Sequence, residues 1–232
     1  MARLWGWRVP KRGLGLMMTD RGVALAQSQA MVRSGEQHCA WHWHRWSVGD
    51  AQGTSGAWPD PGQLRKALAR SGFQAQATAV AVPEAQLQRF SLPLEPGQST
   101  RQMHAAIATQ LGSLLPHPVK DAVWDFELRS EQAPANAAPS AQPAWLQAAL
   151  QTQATQTADV LVITRAWVMT CEQFCRAAGL QLVRLEPPWQ ASTRWQVFAQ
   201  NHADHASEPV AQALSAQEQA VLGGLALGVV MP

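Results

Sequence analysis

Residues 38–44 hold the densest group of side chains that could do chemistry, namely His38, Cys39, His42 and His44. Imidazole and thiolate groups are ligands for zinc and copper, so this stretch is a candidate metal site. On a β-strand, however, alternate side chains point to opposite faces, which separates the three histidines from Cys39 and the tryptophans. The spacing also matches no closed zinc site. We therefore predict no metal centre here, and a core strand with one tryptophan-lined face.

A second candidate is the pair Cys171 and Cys175, four residues apart on one face of a predicted helix. Thiols at this spacing could approach one another, but small apolar cysteines beside Phe174 and Ala178 are typical of a buried helix face. Three cysteines in all do not make a disulfide framework either. We predict core residues rather than a redox pair. The His-Ala-Asp-His motif at residues 202–205 lacks a nearby nucleophile or third ligand, so we predict a surface turn.

The composition limits the class of protein. With 232 residues, 47% of them apolar and 15% charged, the chain is globular. A net charge of +2 gives no case for a nucleic-acid partner, which would require lysine and arginine clustered on one face. No apolar run reaches the roughly 18 to 20 residues of a membrane span, and the N-terminus lacks the apolar core of a signal peptide. The expected location is therefore the cytoplasm.

The N-terminal segment, residues 1–12, combines aromatic and basic side chains with no acidic one: Arg3, Trp5, Trp7, Arg8, Lys11 and Arg12. Tryptophan suits a membrane interface, and each basic side chain near anionic lipid adds about 1 kcal/mol of binding free energy. The segment is therefore either a weak peripheral membrane contact or a frayed basic tail, and the sequence leaves both open.

The chain is organised around residues 78–129, which hold its clearest succession of elements. We predict a strand over 78–83 ended by Pro83, and a second strand over 87–92 ended by Pro93. A helix then begins with a Ser99/Gln102 capping box and has one apolar face, formed by Met103, Ile107, Leu111 and Leu114. A third strand follows over 122–128. The pattern returns as a strand over 160–164, a helix over 166–178 ended by Gly179, and a strand over 180–185. Together these elements predict a small α+β module.

The flanking regions are simpler. Residues 14–27 predict strand, turn and strand, and a helix N-capped by Asp60 ends near Gly72. A second capping box, Ser215 with Glu218, begins a closing helix. Residues 130–156 are a low-complexity excursion expected to be mobile, with at most a short helix over 145–150.

Short motifs along the chain resemble the type IV pilus assembly protein PilM, a family with the actin-like fold of the cell-division protein FtsA. The motifs are Val80-Ala81-Val82-Pro83, Leu115-Pro116-His117-Pro118, Val123-Trp124-Asp125-Phe126, Ala177-Ala178-Gly179-Leu180 and the Gly-Leu-Ala-Leu-Gly sequence at 224–228. The resemblance implies an α/β fold: an actin-like (ribonuclease H-like) lobe with an inserted α+β subdomain of the SHS2 type, and a second nucleotide-binding lobe that is missing. The implied domains are residues 1–83, the insert 84–186, and a return over 187–232.

The same resemblance locates a degenerate phosphate loop. Where nucleotide-binding relatives have an aspartate, a glycine and a lysine, this chain has Met17, Thr19 and Ala24. In such a loop the aspartate orients metal-bound water, the glycine lets backbone N–H groups approach phosphate, and the lysine neutralises it. The resemblance therefore implies no cofactor and no catalysis.

What it implies instead is a cytoplasmic scaffold of a type IV pilus or competence platform that binds the N-terminal peptide of a PilN-like inner-membrane protein. The expected partner site is a groove bordered by Leu115, Pro116, Pro118 and Val119, where two prolines pre-order the backbone. The other interpretation of this loop is that Leu115 and Val119 cap the core beneath it. Two alternative functions also stand: an ATPase whose site a partner completes, and a cytoplasmic component of a type II secretion system.

Overall fold

The computed structural model describes residues 12–19, 22–33, 36–46, 58–74, 76–130, 156–201 and 214–230. These residues form a mixed α/β structure with two sheets and five α-helices, divided into two compact units. The larger unit comprises residues 1–84 and 169–232, and the smaller comprises residues 85–168. The predictions for the N-terminal segment before Arg12, for 131–155 and for the motif at 202–205 lie outside the described residues.

In chain order the elements are β1 (Arg12–Thr19), β2 (Gly22–Arg33), β3 (Glu36–Trp46), α1 (Pro61–Arg70), β4 (Ala77–Ala81), β5 (Gln88–Leu94), α2 (Thr100–Leu114), β6 (Ala122–Ser130), β7 (Gln156–Thr164), α3 (Arg165–Ala177), β8 (Gln181–Glu186), α4 (Pro188–Asn201) and α5 (Ala216–Val230). Every strand and helix named in the sequence analysis that falls on described residues is therefore present, although several begin or end a few residues away from the predicted position.

The larger unit is built on a five-stranded sheet of order β3-β2-β1-β4-β8. β1, β2 and β3 form an antiparallel meander, whereas β4 pairs in parallel with both β1 and β8. On one face, Leu14 and Leu16 pack against Leu64 of α1 and Phe174 of α3. On the other face, the alanines of β2 and β4 pack under α5. The central strands β1 and β4 are thus buried on both sides, as their apolar sequences require.

Small residues let α5 lie directly on the sheet. A Cβ on Gly15 would sit 2.4 Å from the carbonyl oxygen of Leu222, so the strand approaches the helix backbone at that point. Ser28 of β2 donates a hydrogen bond of 3.0 Å to the carbonyl of Ala226. The Ser215/Glu218 capping box that begins this helix is confirmed, with bonds of 2.7 and 3.2 Å. The closing helix α5 therefore packs directly on one face of the sheet and also contacts α4.

The smaller unit is an antiparallel sheet of order β5-β7-β6 with α2 on one face. The Ser99/Gln102 capping box is confirmed, as is burial of Met103, Ile107 and Leu111. Leu114 differs from the prediction, because it is 50% exposed. Pro93 does not end β5 as predicted: the strand continues to Leu94, which an edge strand tolerates because one side of it needs no ladder donor.

One strand lies in a different sheet from the one expected. The sequence analysis placed residues 180–185 in the inserted subdomain, but β8 pairs with β4 in the sheet of the larger unit. Phe174 and Cys175 of α3 likewise pack in that unit's core. The boundary between the units therefore falls within α3, at residue 168, rather than at 186.

Candidate partner-binding surface and the phosphate-loop position

The three residues that the resemblance aligns with a phosphate loop, Met17, Thr19 and Ala24, lie on two paired strands. Met17 is directly opposite Ala24 in the β1–β2 register. Ala24 is fully buried in the cluster that includes Leu222 and Leu225 of α5, and Met17 packs against the same cluster. Thr19 donates a hydrogen bond of 3.1 Å to the carbonyl of Gly22. The side chains at these positions thus serve the packing of α5 and the β1–β2 connection.

The histidine-rich stretch has the alternation predicted for it, as far as its side chains are described. Trp41 and Trp43 stack at 5.4 Å, and both meet Trp195 of α4 edge-on, at 4.9 and 5.7 Å. His42 faces the other way, against Phe73 at 4.7 Å. Within the described part of the chain, no three metal-ligating side chains gather into a potential metal site. The tryptophan face of β3 is a packing surface for α4.

Both described cysteines lie in the core of the larger unit. Cys171 and Cys175 are fully buried on α3. Burial raises the pKa of the Cys175 thiol to about 12. Burial, with a smaller contribution from Cys175, raises the pKa of Cys171 as well. A thiol with a raised pKa stays protonated at neutral pH and is a poor nucleophile.

We expect Cys175 of the native protein to react with iodoacetamide at pH 8 about a thousandfold more slowly than an ordinary thiol, because its pKa is about three units higher and its thiolate correspondingly scarcer. Mass spectrometry of the peptide carrying both cysteines gives the rate, and the urea-unfolded protein, in which the pKa values return to normal, is the control. A native rate within tenfold of the unfolded one would show that these thiols are accessible.

The proline loop after α2, residues 115–119, contains both buried and exposed residues. Leu115 is only 8% exposed and packs in the core of the smaller unit with Leu111 and Ala122, and Val119 packs partly against the same core. Pro116 and Pro118 are exposed. The interpretation that Leu115 caps the core therefore fits its position, and the exposed surface of this loop includes the two prolines.

The smaller sheet also has a face opposite to α2, which we call the open face. It carries Val123, Leu161 and Ile163 on neighbouring strands, with Val123 directly paired to Ile163. Val123 is 38% exposed, and Leu161 and Ile163 are partly exposed. Further along, Asp159 accepts a hydrogen bond of 2.7 Å from Ser91 and forms an ion pair with Arg129. The apolar end of the open face is therefore Val123 with Ile163, whereas Leu161 is paired with the exposed Arg89 and Asp125 on its two sides and Asp159 lies among polar groups.

β6 forms one border of this face and is an edge strand of the three-stranded sheet. An edge strand presents backbone N–H and C=O groups that an extended peptide can pair with, and alternate side chains then set specificity. An apolar patch beside such an edge is the combination that peptide binding by strand addition requires. The sequence analysis missed this surface, although the Val-Trp-Asp-Phe motif at 123–126 contains its exposed valine.

Comparison with protein-family models and with curated protein sequences gave no match. Among solved structures, the chain is similar to the PilM–PilN type IV pilus biogenesis complex, with a TM-score of 0.56 and 16% identity over 82% of this chain. It spans 51% of the chain that it matches there. The resemblance to PilM that the sequence motifs indicate is confirmed at the level of the fold.

A second similar structure is the cytoplasmic domain of EpsL, an inner membrane component of the type II secretion system of Vibrio cholerae. The match has a TM-score of 0.44 and 15% identity, and it covers 78% of this chain and 58% of that one. Among the described residues of this chain, no helix is both long and apolar enough to span a bilayer.

Proposed function

We propose that the chain is a non-catalytic component of an inner-membrane platform for type IV pilus assembly or DNA uptake, and that it works as a cytoplasmic scaffold. The observation that carries the proposal is the fold similarity to PilM, which was solved in a complex with PilN. By this analogy the partner is the short N-terminal peptide of a PilN-like protein. A scaffold needs a binding surface and no reacting groups, which fits the side chains at the phosphate-loop position.

The peptide site we propose combines the open face and the proline loop of the smaller unit. Val123, Leu161 and Ile163 supply apolar contacts, the outer edge of β6, which pairs with no other described strand, supplies backbone partners, and Pro116 and Pro118 hold the adjoining backbone rigid. The earlier assignment of Leu115 and Val119 as direct contacts changes under this proposal: they support the loop from the core.

The variant V123D tests this site. We expect it to weaken binding of the PilN-like N-terminal peptide by at least about tenfold, because a charge at the centre of an apolar contact is desolvated without a partner. The matched control is V183D, since Val183 is 43% exposed on β8, an edge strand of the other sheet. Pull-down and a thermal melt of each variant are the measurements. Undiminished binding by V123D would remove the open face from the site.

We also expect no saturable binding of Mg-ATP below about 1 mM, the affinity of an ordinary weak site. The reason is that Met17 and Ala24 offer no group to hold a metal-bound water or a phosphate, and Ala24 is buried under α5. Titration with a fluorescent ATP analogue gives the affinity, and competition by unlabelled ATP separates specific from nonspecific signal. Competable binding tighter than about 1 mM would instead support the alternative of an ATPase completed by a partner.

A further inference from the structure

The edge strand β6 has an apolar side that faces α2. Trp124 and Phe126 pack partly against the core under α2, and Leu128, which follows them in the strand alternation, is 41% exposed. His104 of α2 lies against both aromatic rings, with ring centroids 5.1 Å from each. We call these four residues the apolar strip. Because the strip is only partly covered, it can accept further apolar contacts at the edge of the sheet.

The other side of the same strand is acidic. Asp125 and Glu127 alternate with the residues of the strip, so they lie on the open face, and both are exposed. One carboxylate oxygen of Asp125 accepts a hydrogen bond of 2.9 Å from the backbone N–H of Phe126. Arg129, the next residue on this side, forms an ion pair with Asp159 of β7. The two carboxylates therefore precede a cation that already has an acidic partner.

The other cations near this sheet lie on different elements or beyond the end of β6. Arg89 is on β5, on the far side of β7, and Arg101 is on α2. Lys120 and Arg165 lie at the end of the sheet where β6 begins, together with the exposed Asp121. The charge that β6 itself presents before residue 129 is therefore negative.

A second copy of the chain does not fit this edge well. If two β6 strands paired in antiparallel fashion about Phe126, Asp125 of each copy would lie opposite Glu127 of the other. Pairing about either acidic residue would place that carboxylate opposite itself. Like charges directly opposite one another destabilise a sheet, and charged side chains on an edge strand oppose self-pairing. A strand that carries cations at these positions would instead be attracted by the same carboxylates.

We propose that the outer edge of β6 binds an extended peptide in which apolar and basic residues alternate, with the apolar side chains on the strip and the basic ones beside Asp125 and Glu127. The inference rests on the proposed function, because it names the sequence class of the peptide that this function requires. In a strand added to β6, successive side chains point to opposite sides of the sheet, so each side selects every second residue. Beside Val123, where the open face is apolar, a further apolar residue fits.

The experiment is a fluorescence-anisotropy titration of labelled peptides with the full chain. Two designed peptides of about eight residues, long enough to form one strand, alternate valine with lysine or valine with glutamate. The N-terminal cytoplasmic peptide of the PilN-like protein is titrated beside them. The test variant is D125K, and the matched control is E95K, which makes the same change of charge at an exposed residue of the smaller unit outside β6. Thermal melts establish that both variants are folded.

We expect the wild type and E95K to bind the valine–lysine peptide at least about fivefold more tightly than the valine–glutamate peptide. The reason is that an opposite-charge pair across neighbouring strands strengthens binding by up to about fivefold, and a like-charge pair weakens it by a similar factor. In D125K one cation and one carboxylate compensate, so we expect the ratio to fall to about one. We also expect D125K to bind the PilN-like peptide more weakly than E95K does.

The possible failures of the inference and of the proposed function differ. Binding of the PilN-like peptide without binding of the valine–lysine peptide below about 1 mM would overturn the inference and leave the proposed function standing. A preference for lysine that D125K keeps, or that E95K also loses, would show that net charge rather than β6 sets it. A dimer of the wild type that D125K disrupts would assign the edge to a second copy. A preference for lysine that only D125K loses, without binding of the PilN-like peptide, would support the β6 site and contradict the PilN-like partner. Binding of neither kind of peptide would overturn both.

Discussion

Replacing Gly224 with alanine is expected to destabilise the larger unit by about 3 kcal/mol or more, at the upper end of what overpacking costs. A Cβ at this position would lie 1.7 Å from the carbonyl oxygen of Ala191, which is backbone of α4 and cannot rotate away. A Cβ on the neighbouring Gly223 would lie 2.3 Å from the ring of Trp195. The structure can accommodate the added methyl group only if α4 and α5 move apart, and that movement would break their packing contact.

The matched control is G112A in α2. Gly112 also lies within a helix, but its added Cβ would meet only a methyl group of Val119, at 3.8 Å. Alanine is there expected to stabilise the helix by up to about 1 kcal/mol, because it has the higher helix propensity. Urea unfolding followed by tryptophan fluorescence measures both variants. A G224A midpoint equal to that of the wild type would mean that α4 and α5 do not pack as closely as described.

The variant L115D is expected to unfold the smaller unit, with a loss of about 3 kcal/mol or more, because it buries a carboxylate in an apolar core without a partner. Leu115 packs there with Leu111, Ala122 and Val160. The variant L114D is the control, since Leu114 is 50% exposed and an aspartate there stays in water. Its expected effect on stability is within about 0.5 kcal/mol.

Thermal melts and hydrogen exchange of the smaller unit distinguish these two variants. The comparison also bears on function. If Leu115 were exposed and contacted the partner, the L115D variant would lose peptide binding but keep its fold. Normal melting of L115D together with lost peptide binding would restore Leu115 to the partner site and contradict its placement in the core.

Local signals predicted most of the fold. Both capping boxes, the helix end at Gly179 and the strand alternation in β3 follow from groups that act within a few residues of one another. Leu114 and Leu115 show the limit of such signals. Both lie near the stripe of Met103, Ile107 and Leu111, and only the packing of the helix end on the sheet decides which leucine is buried.

Long-range pairing was not predictable in the same way. The sequence of β8 fits either sheet, and its place beside β4 depends on a parallel register between residues about a hundred positions apart. α4 was missed altogether. The sequence does carry a pattern for this helix, because Ala191, Trp195 and Phe198 have the spacing of one helix face. The surrounding stretch is otherwise rich in polar residues. The open face of the smaller sheet was missed because exposure of Val123 depends on what packs around it.

The side chains at the phosphate-loop position connect the fold to the proposed function. Their assignment to a phosphate loop comes from the resemblance to PilM, and in the structure Met17 and Ala24 pack beneath α5. A lysine at position 24 would place a charge without a partner in this buried cluster, so we expect it to destabilise the packing of α5.

The central claim is that this chain binds a PilN-like peptide without using nucleotide. Its most direct test is a fluorescence-anisotropy titration of the labelled N-terminal cytoplasmic peptide of the PilN-like protein with the full chain, with and without Mg-ATP. The account predicts saturable binding with a Kd well below about 1 mM that is the same in both conditions. Absence of saturation up to that concentration, or binding that appears only with Mg-ATP, would contradict it.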